Sequence, residues 1–240
     1  MTASTNIKAA LFDLDDTLVD HQHSSRCGLL AVQTANDCFA GHDILTLEQA
    51  YQSLIGELHS KVMAGELTLD DARRQRFLEF LKWAGSDVDR EQADAAAELY
   101  RQTYNDTQRL VPGAHELLES LRPEIRIGIV TNHVRAEQLK KIDRCKLNGL
   151  FESLVVSEDV GAPKPDPLMF QTALKELNCG ASEAVMIGDS WEADIEGATA
   201  LGIRSVWLNR YGHECPDPTT ATEINSLEPI DRIRQLILSE

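Results

Sequence analysis

Basic residues are scarce in this chain. Its 23 Lys and Arg stand against 39 Asp and Glu, a formal charge of −16 over 240 residues. That balance argues against a nucleic-acid backbone or an anionic membrane as the main partner. It leaves room for a small phosphorylated substrate, because a local basic pocket can outweigh the global field. Only five cysteines occur (Cys27, Cys38, Cys145, Cys179 and Cys215), scattered and without a CxxC pair. They read as reduced thiols of a cytoplasmic protein and argue against a zinc site. No apolar run approaches the roughly 20 residues of a membrane span. With so short a lead before the first apolar run, no signal peptide is expected. Internal repeats and low-complexity tracts are absent as well.

What is present is a short apolar run near the N-terminus, Ala9-Ala10-Leu11-Phe12, ending in Asp13-Leu14-Asp15-Asp16-Thr17-Leu18. The run has the length of a buried strand. Three carboxylates within four residues are costly to bury alone and call for a cation or a reaction. Side chains two apart on a strand share a face, so Asp13 and Asp15 address one point if the extended geometry persists. In open α/β sheets the ligand crevice lies at the carboxyl ends of the strands, where these groups fall.

From His21 to about Gln108 the pattern is helical, without a convincing strand. Thr46-Leu47-Glu48-Gln49 fits a capping box, followed by Ala50, Leu54, Leu58 and Val62 at four-residue spacing. Thr68-Leu69-Asp70-Asp71 reads as a second start, with Phe77, Leu78 and Leu81 as its stripe. Arg90 to about Tyr104 is rich in the helix formers Ala and Glu.

Strand and helix then alternate. A helix from Pro112-Gly113 to Leu121 precedes the apolar run Ile125–Val130, then Leu154–Val156, and a helix opened by Asp166-Pro167. Ala184–Ile187 and Ser205–Leu208 are further strands, with a helix ending at Gly202 between them, and a last helix opens at Pro229. Strands separated by helices predict a Rossmann-like parallel α/β sheet with helices on both faces. The expected organisation is an α/β core from residues 1–19 and 109–240, interrupted by a helical cap over residues 20–108.

Three more segments fall at strand ends. Thr131-Asn132-His133 places a hydroxyl and a backbone amide where they can hold a phosphate oxygen; either residue alone also fits a helix cap. Gly161-Ala162-Pro163-Lys164-Pro165 pins one cation between prolines, which lowers the entropy cost of aiming it at an anion. Gly188-Asp189 sits where Asp189 can reach the crevice of Asp13, and Asp194 follows in the first turn of a helix.

Together these segments resemble the four motifs of the haloacid dehalogenase-like hydrolase superfamily, in its phosphatase branch with a helical cap between the first and second motifs. The resemblance covers roughly residues 7–19 and 109–210 and is thinner in the cap. It implies Asp13 as nucleophile, Asp15 as general acid/base and Lys164 as the cation steadying both nucleophile and phosphate. Thr131 and Asn132 are implied as phosphate binders. Mg2+ is the implied cofactor, on Asp13, Asp189 and the backbone carbonyl of Asp15, with Thr17 and Asp194 in support.

The expected function is a Mg2+-dependent phosphatase hydrolysing a small phosphorylated metabolite, a nucleotide or sugar phosphate, through an aspartyl-phosphate. Asp15 favours phosphoryl transfer over dehalogenation, because a departing halide needs no proton. A sugar-phosphate mutase shares all four motifs, and a non-catalytic binding protein is the answer of a different class. Arg73, Arg74 and Arg76 form the densest basic cluster, either a solvated face or an anion contact, with Arg76 taken as the substrate-binding candidate. His21 and His23 follow the first motif and are either substrate contacts or exposed.

Overall fold

The computed structural model describes residues 7–63 and 65–239. The chain divides into two compact units, His21–Gln108 and the remainder on either side of it.

The unit formed by the chain on either side of His21–Gln108 is an α/β layer structure. Strand β1 (Ala9–Phe12) leads out of it, and the chain returns at Arg109. In the helical unit are α1 (His21–Ala35), α2 (Ile44–Met63), α3 (Leu69–Trp83) and α4 (Arg90–Asp106). The α/β unit then continues with α5 (Ala114–Leu121), β2 (Arg126–Thr131), α6 (Arg135–Arg144), β3 (Ser153–Val156) and a single turn, α7 (Ser157–Val160). It is completed by α8 (Pro167–Glu176), β4 (Ala184–Gly188), α9 (Gly197–Thr199), β5 (Arg204–Leu208), β6 (Thr222–Ile224) and α10 (Ile230–Leu238).

Among the described residues six strands pair in parallel, in the order β3-β2-β1-β4-β5-β6. A parallel sheet covered on both faces buries every position of its central strands, and β1 is buried throughout. Its side chains alternate between two cores. Ala10 and Phe12 join Leu117, Ile142 and Ile233 from α5, α6 and α10 on one face. Ala9 and Leu11 join Phe170 and Ala173 of α8 and Ala198 of α9 on the other. Because strand order reverses between β1 and β4, the crevice at their carboxyl ends is the switch point where ligands bind in such sheets.

The helical unit has its own core, in which Tyr51, Phe77, Phe80 and Leu81 are buried together. Thr68 caps α3 by accepting the Asp71 amide, and Asp89 with Gln92 forms a capping box on α4. The box expected at Thr46–Gln49 does not open a helix. Helix α2 begins earlier, at Ile44, with Asp43 accepting the Thr46 amide at 2.9 Å. Of the expected stripe Leu58 is buried, whereas Ala50 and Leu54 are only partly covered, and Leu47 and Tyr51 are buried in their place. Helix α6 and the edge strand β6 lack the apolar periodicity that marks the other elements. Among the described residues no helix is long and apolar enough to cross a membrane, and all five cysteines are free thiols.

Candidate active site

Strand β1 ends at Phe12, and the Asp13 amide still donates to the Ile187 carbonyl of β4 at 3.0 Å. Beyond it the extended geometry does not persist. Asp16 takes a left-handed φ of 59°, its amide donates to the Val19 carbonyl at 2.7 Å, and the Val19 amide donates back to Leu14 at 2.8 Å. Past the end of the strand, Asp13 and Asp15 take different protein partners.

Asp13 faces Lys164. The Lys164 ammonium lies 2.5 Å from Asp13 Oδ1 and 2.6 Å from Asp194 Oδ1, with all three side chains buried. Asp194 lies on a π-helical turn, Trp191–Glu196, capped by the Ser190 hydroxyl, and its second oxygen accepts the Ser190 amide at 3.1 Å. Local π geometry of this kind is concentrated at functional sites. Asp189 accepts from the Thr17 hydroxyl at 3.2 Å, and its carbonyl accepts from the Trp207 indole at 2.8 Å. Carboxylate oxygens of Asp13, Asp189 and Asp194 lie within 4.8 Å of one another.

Three carboxylates facing one ammonium leave net negative charge in a desolvated place. Burial, together with Asp194 and Asp189, pushes Asp13 well above the usual carboxylate range against the pull of Lys164. Burial and the neighbouring Asp194 and Asp16 raise Asp189 to about 7. Burial opposes charge on Lys164 as well, but Asp13 and Asp194 outweigh it and hold the ammonium protonated. A divalent cation with oxygen ligands fits this donor set and its surplus charge. Because both Asp194 oxygens are engaged, Asp13 and Asp189 are the side chains suited to hold it.

The Asp15 carboxylate is turned to α6. Both its oxygens lie 2.7 Å from the Lys141 ammonium, and Oδ2 accepts from the Gln138 amide at 3.0 Å. The same Gln138 nitrogen donates to the Thr131 hydroxyl at the end of β2, at 2.6 Å. Gln138 and Lys141 were not legible as site residues; the signal open to inspection was a polar pair three apart on the helix following Thr131. Asn132 spends its side chain on Lys164, whose amide it accepts at 2.7 Å and whose carbonyl receives its Nδ2 at 3.0 Å. It fixes the loop that carries the cation.

The basic cluster splits up within the helical unit. The Arg76 guanidinium lies 5.3 Å from the Tyr51 ring centroid and donates to its hydroxyl at 3.2 Å. Arg73 pairs with Asp70 on the surface, and Arg74 is exposed. His21 contacts the Tyr104 hydroxyl at 2.7 Å, and His23 lies 3.6 Å from the Cys27 sulfur.

Comparison with known proteins follows the same lines. The family model described as haloacid dehalogenase-like hydrolase matches residues 10–208. A glyceraldehyde 3-phosphate phosphatase of Pyrococcus abyssi is 34% identical over 209 residues, 86% of this chain and 82% of the relative. A ribulose-1,5-bisphosphate 5-phosphatase of Halopiger xanaduensis is 34% identical over 200 residues, 82% of this chain and 83% of its own length. Among solved structures, YfnB from Bacillus subtilis, crystallised with magnesium bound, is 26% identical with a TM-score of 0.73, covering 95% of this chain and 99% of its own.

Proposed function

This chain belongs to the haloacid dehalogenase-like hydrolase family, and on that premise we propose that it is a Mg2+-dependent phosphatase of small phosphorylated metabolites. The observation that carries the proposal is the Lys164 ammonium shared between Asp13 and Asp194 beside Asp189, at the switch point of the sheet.

In this reading the Asp13 carboxylate attacks phosphorus, the ester P–O bond breaks, and an aspartyl-phosphate forms. Asp15 protonates the departing alcohol, then takes a proton from the water that releases phosphate and restores Asp13. Lys164, held by Asp194 and by the Asn132 side chain, offsets the repulsion between an anionic nucleophile and an anionic ester. Thr131 donates to a phosphoryl oxygen. Bound at Asp13 and Asp189, Mg2+ supplies charge neutralisation of the phosphoryl group. Phosphorylated sugars are the favoured substrate class, since two relatives at 34% identity are named for a triose phosphate and a pentulose bisphosphate. Selectivity among esters is assigned to the helical unit His21–Gln108, the proposed cap.

The test is p-nitrophenyl phosphate turnover with Mg2+ and with EDTA, beside folded Asp13→Asn and Asp15→Asn variants and a panel of sugar and nucleotide phosphates. Turnover that requires Mg2+ and vanishes in Asp13→Asn supports the reading. Silence across the panel, with no Mg2+ binding, sinks it.

A further inference from the structure

Helix α6 buries the wrong residues for a helix that merely covers a sheet. Leu139 is 43% exposed, whereas Gln138 is fully buried and Lys141 is 4% exposed. Long polar side chains are rarely buried without partners that need them. Here the partners are Asp15 and Thr131, which come from the ends of β1 and β2.

A Gln amide has two donor hydrogens on its nitrogen and an oxygen that only accepts. It is the nitrogen of Gln138 that faces Asp15, donating to Oδ2 at 3.0 Å. The same nitrogen reaches Thr131 Oγ1, making the threonine oxygen an acceptor and leaving the threonine hydrogen to be donated elsewhere. The Gln138 carbonyl oxygen is buried without a hydrogen-bond partner. An unsatisfied acceptor is costly, and this one marks an amide held in place for its donor side. One turn on, the Lys141 ammonium forks evenly over both Asp15 oxygens.

We infer that Lys141 and Gln138 are positioning residues for phosphoryl transfer, an assignment that rests on the phosphatase reading. Lys141 holds the Asp15 carboxylate in one orientation. Gln138 ties that carboxylate to Thr131 and leaves the threonine hydrogen for a phosphoryl oxygen. Neither touches substrate; each acts through the residue it holds.

The experiment is a double-mutant cycle on p-nitrophenyl phosphate with the full chain and Mg2+. Lys141→Met lowers kcat about tenfold or more with KM nearly unchanged, and adds no further loss when Asp15 is already Asn. Gln138→Leu weakens inhibition by inorganic phosphate about fivefold, the equivalent of one hydrogen bond. Should Lys141→Met fail to fold, Lys141→Gln takes its place in the cycle. Additive losses, or a Lys141 variant whose kcat is unchanged or raised, overturn the assignment. A crystal structure of the Lys141 variant provides a readout independent of turnover. If wild type hydrolyses no phosphate ester, the phosphatase reading fails by itself; an Asp15 carboxylate unmoved in that crystal overturns the positioning role, and a displaced one supports it.

Discussion

Lys164 and Asp13, 151 residues apart in the chain, meet in a 2.5 Å ion pair between buried side chains. The same ammonium holds Asp194, so one cation ties the end of β1 to the turn after β4.

Removing that cation leaves two carboxylates buried beside a third. Lys164→Met is therefore expected to cost about 3–5 kcal/mol, as for other broken buried pairs, and to abolish turnover. Urea denaturation at pH 7 checks the first and p-nitrophenyl phosphate hydrolysis the second. A variant as stable as wild type would contradict the charge accounting at this site.

Metal should matter more as pH rises. With Asp189 raised to about 7, the folded protein holds a proton that the unfolded chain has lost. Stability from this group is complete below the ordinary carboxylate range and drains away as pH climbs towards 7. On the proposed reading Mg2+ takes the deprotonated form, and its binding is expected to reverse that loss. At about 100 times its Kd the ion contributes about 2.7 kcal/mol, so the gain in Tm is expected to be larger at pH 8 than at pH 5. Equal gains at both values by calorimetry would exclude this coupling.

The acid limb of stability belongs partly to Asp20. Burial disfavours its charge, but Arg109 at 2.8 Å and Arg210 at 3.1 Å overcome that and hold it below its usual 3.8. Its contribution is present above that value and lost as pH falls through the folded pKa. Asp20→Asn is expected to cost about 1–3 kcal/mol at pH 7. The gap from wild type should close in the most acid part of a pH series of denaturant midpoints.

Gly188 ends β4 directly against the Asp194 carboxylate, where an added Cβ would collide with the side chain. Gly188→Ala is expected to displace Asp194, release Lys164 and remove activity, with a loss of about 1–3 kcal/mol from overpacking. Gly28→Ala meets the Tyr100 ring instead; its cost falls on the helical unit, seen as a lowered Tm. Equal activity of Gly188→Ala and wild type would show that the Asp194 contact is dispensable.

Chain order and local chemistry made much of this protein legible before any coordinates. Strands β1 to β4 are short apolar runs ending in Phe12, Thr131, Val156 and Gly188, and parallel strands buried in a covered sheet need little more than that to be recognised. Asp166 capping α8 with Pro167 behind it is equally local: the Asp166 carboxylate accepts the Leu168 amide at 2.9 Å. Tertiary structure decided what local pattern cannot carry. Asp13 met Lys164 while Asp15 met Lys141, the Lys164 loop drew on Asn132, and the rotation of α6 put Gln138 and Lys141 inside and Leu139 outside. Hydrophobic periodicity reports which face of a helix prefers to be dry. It is silent where a buried carboxylate and hydroxyl on other strands outbid an apolar side chain for the inner face, because those partners are distant in sequence.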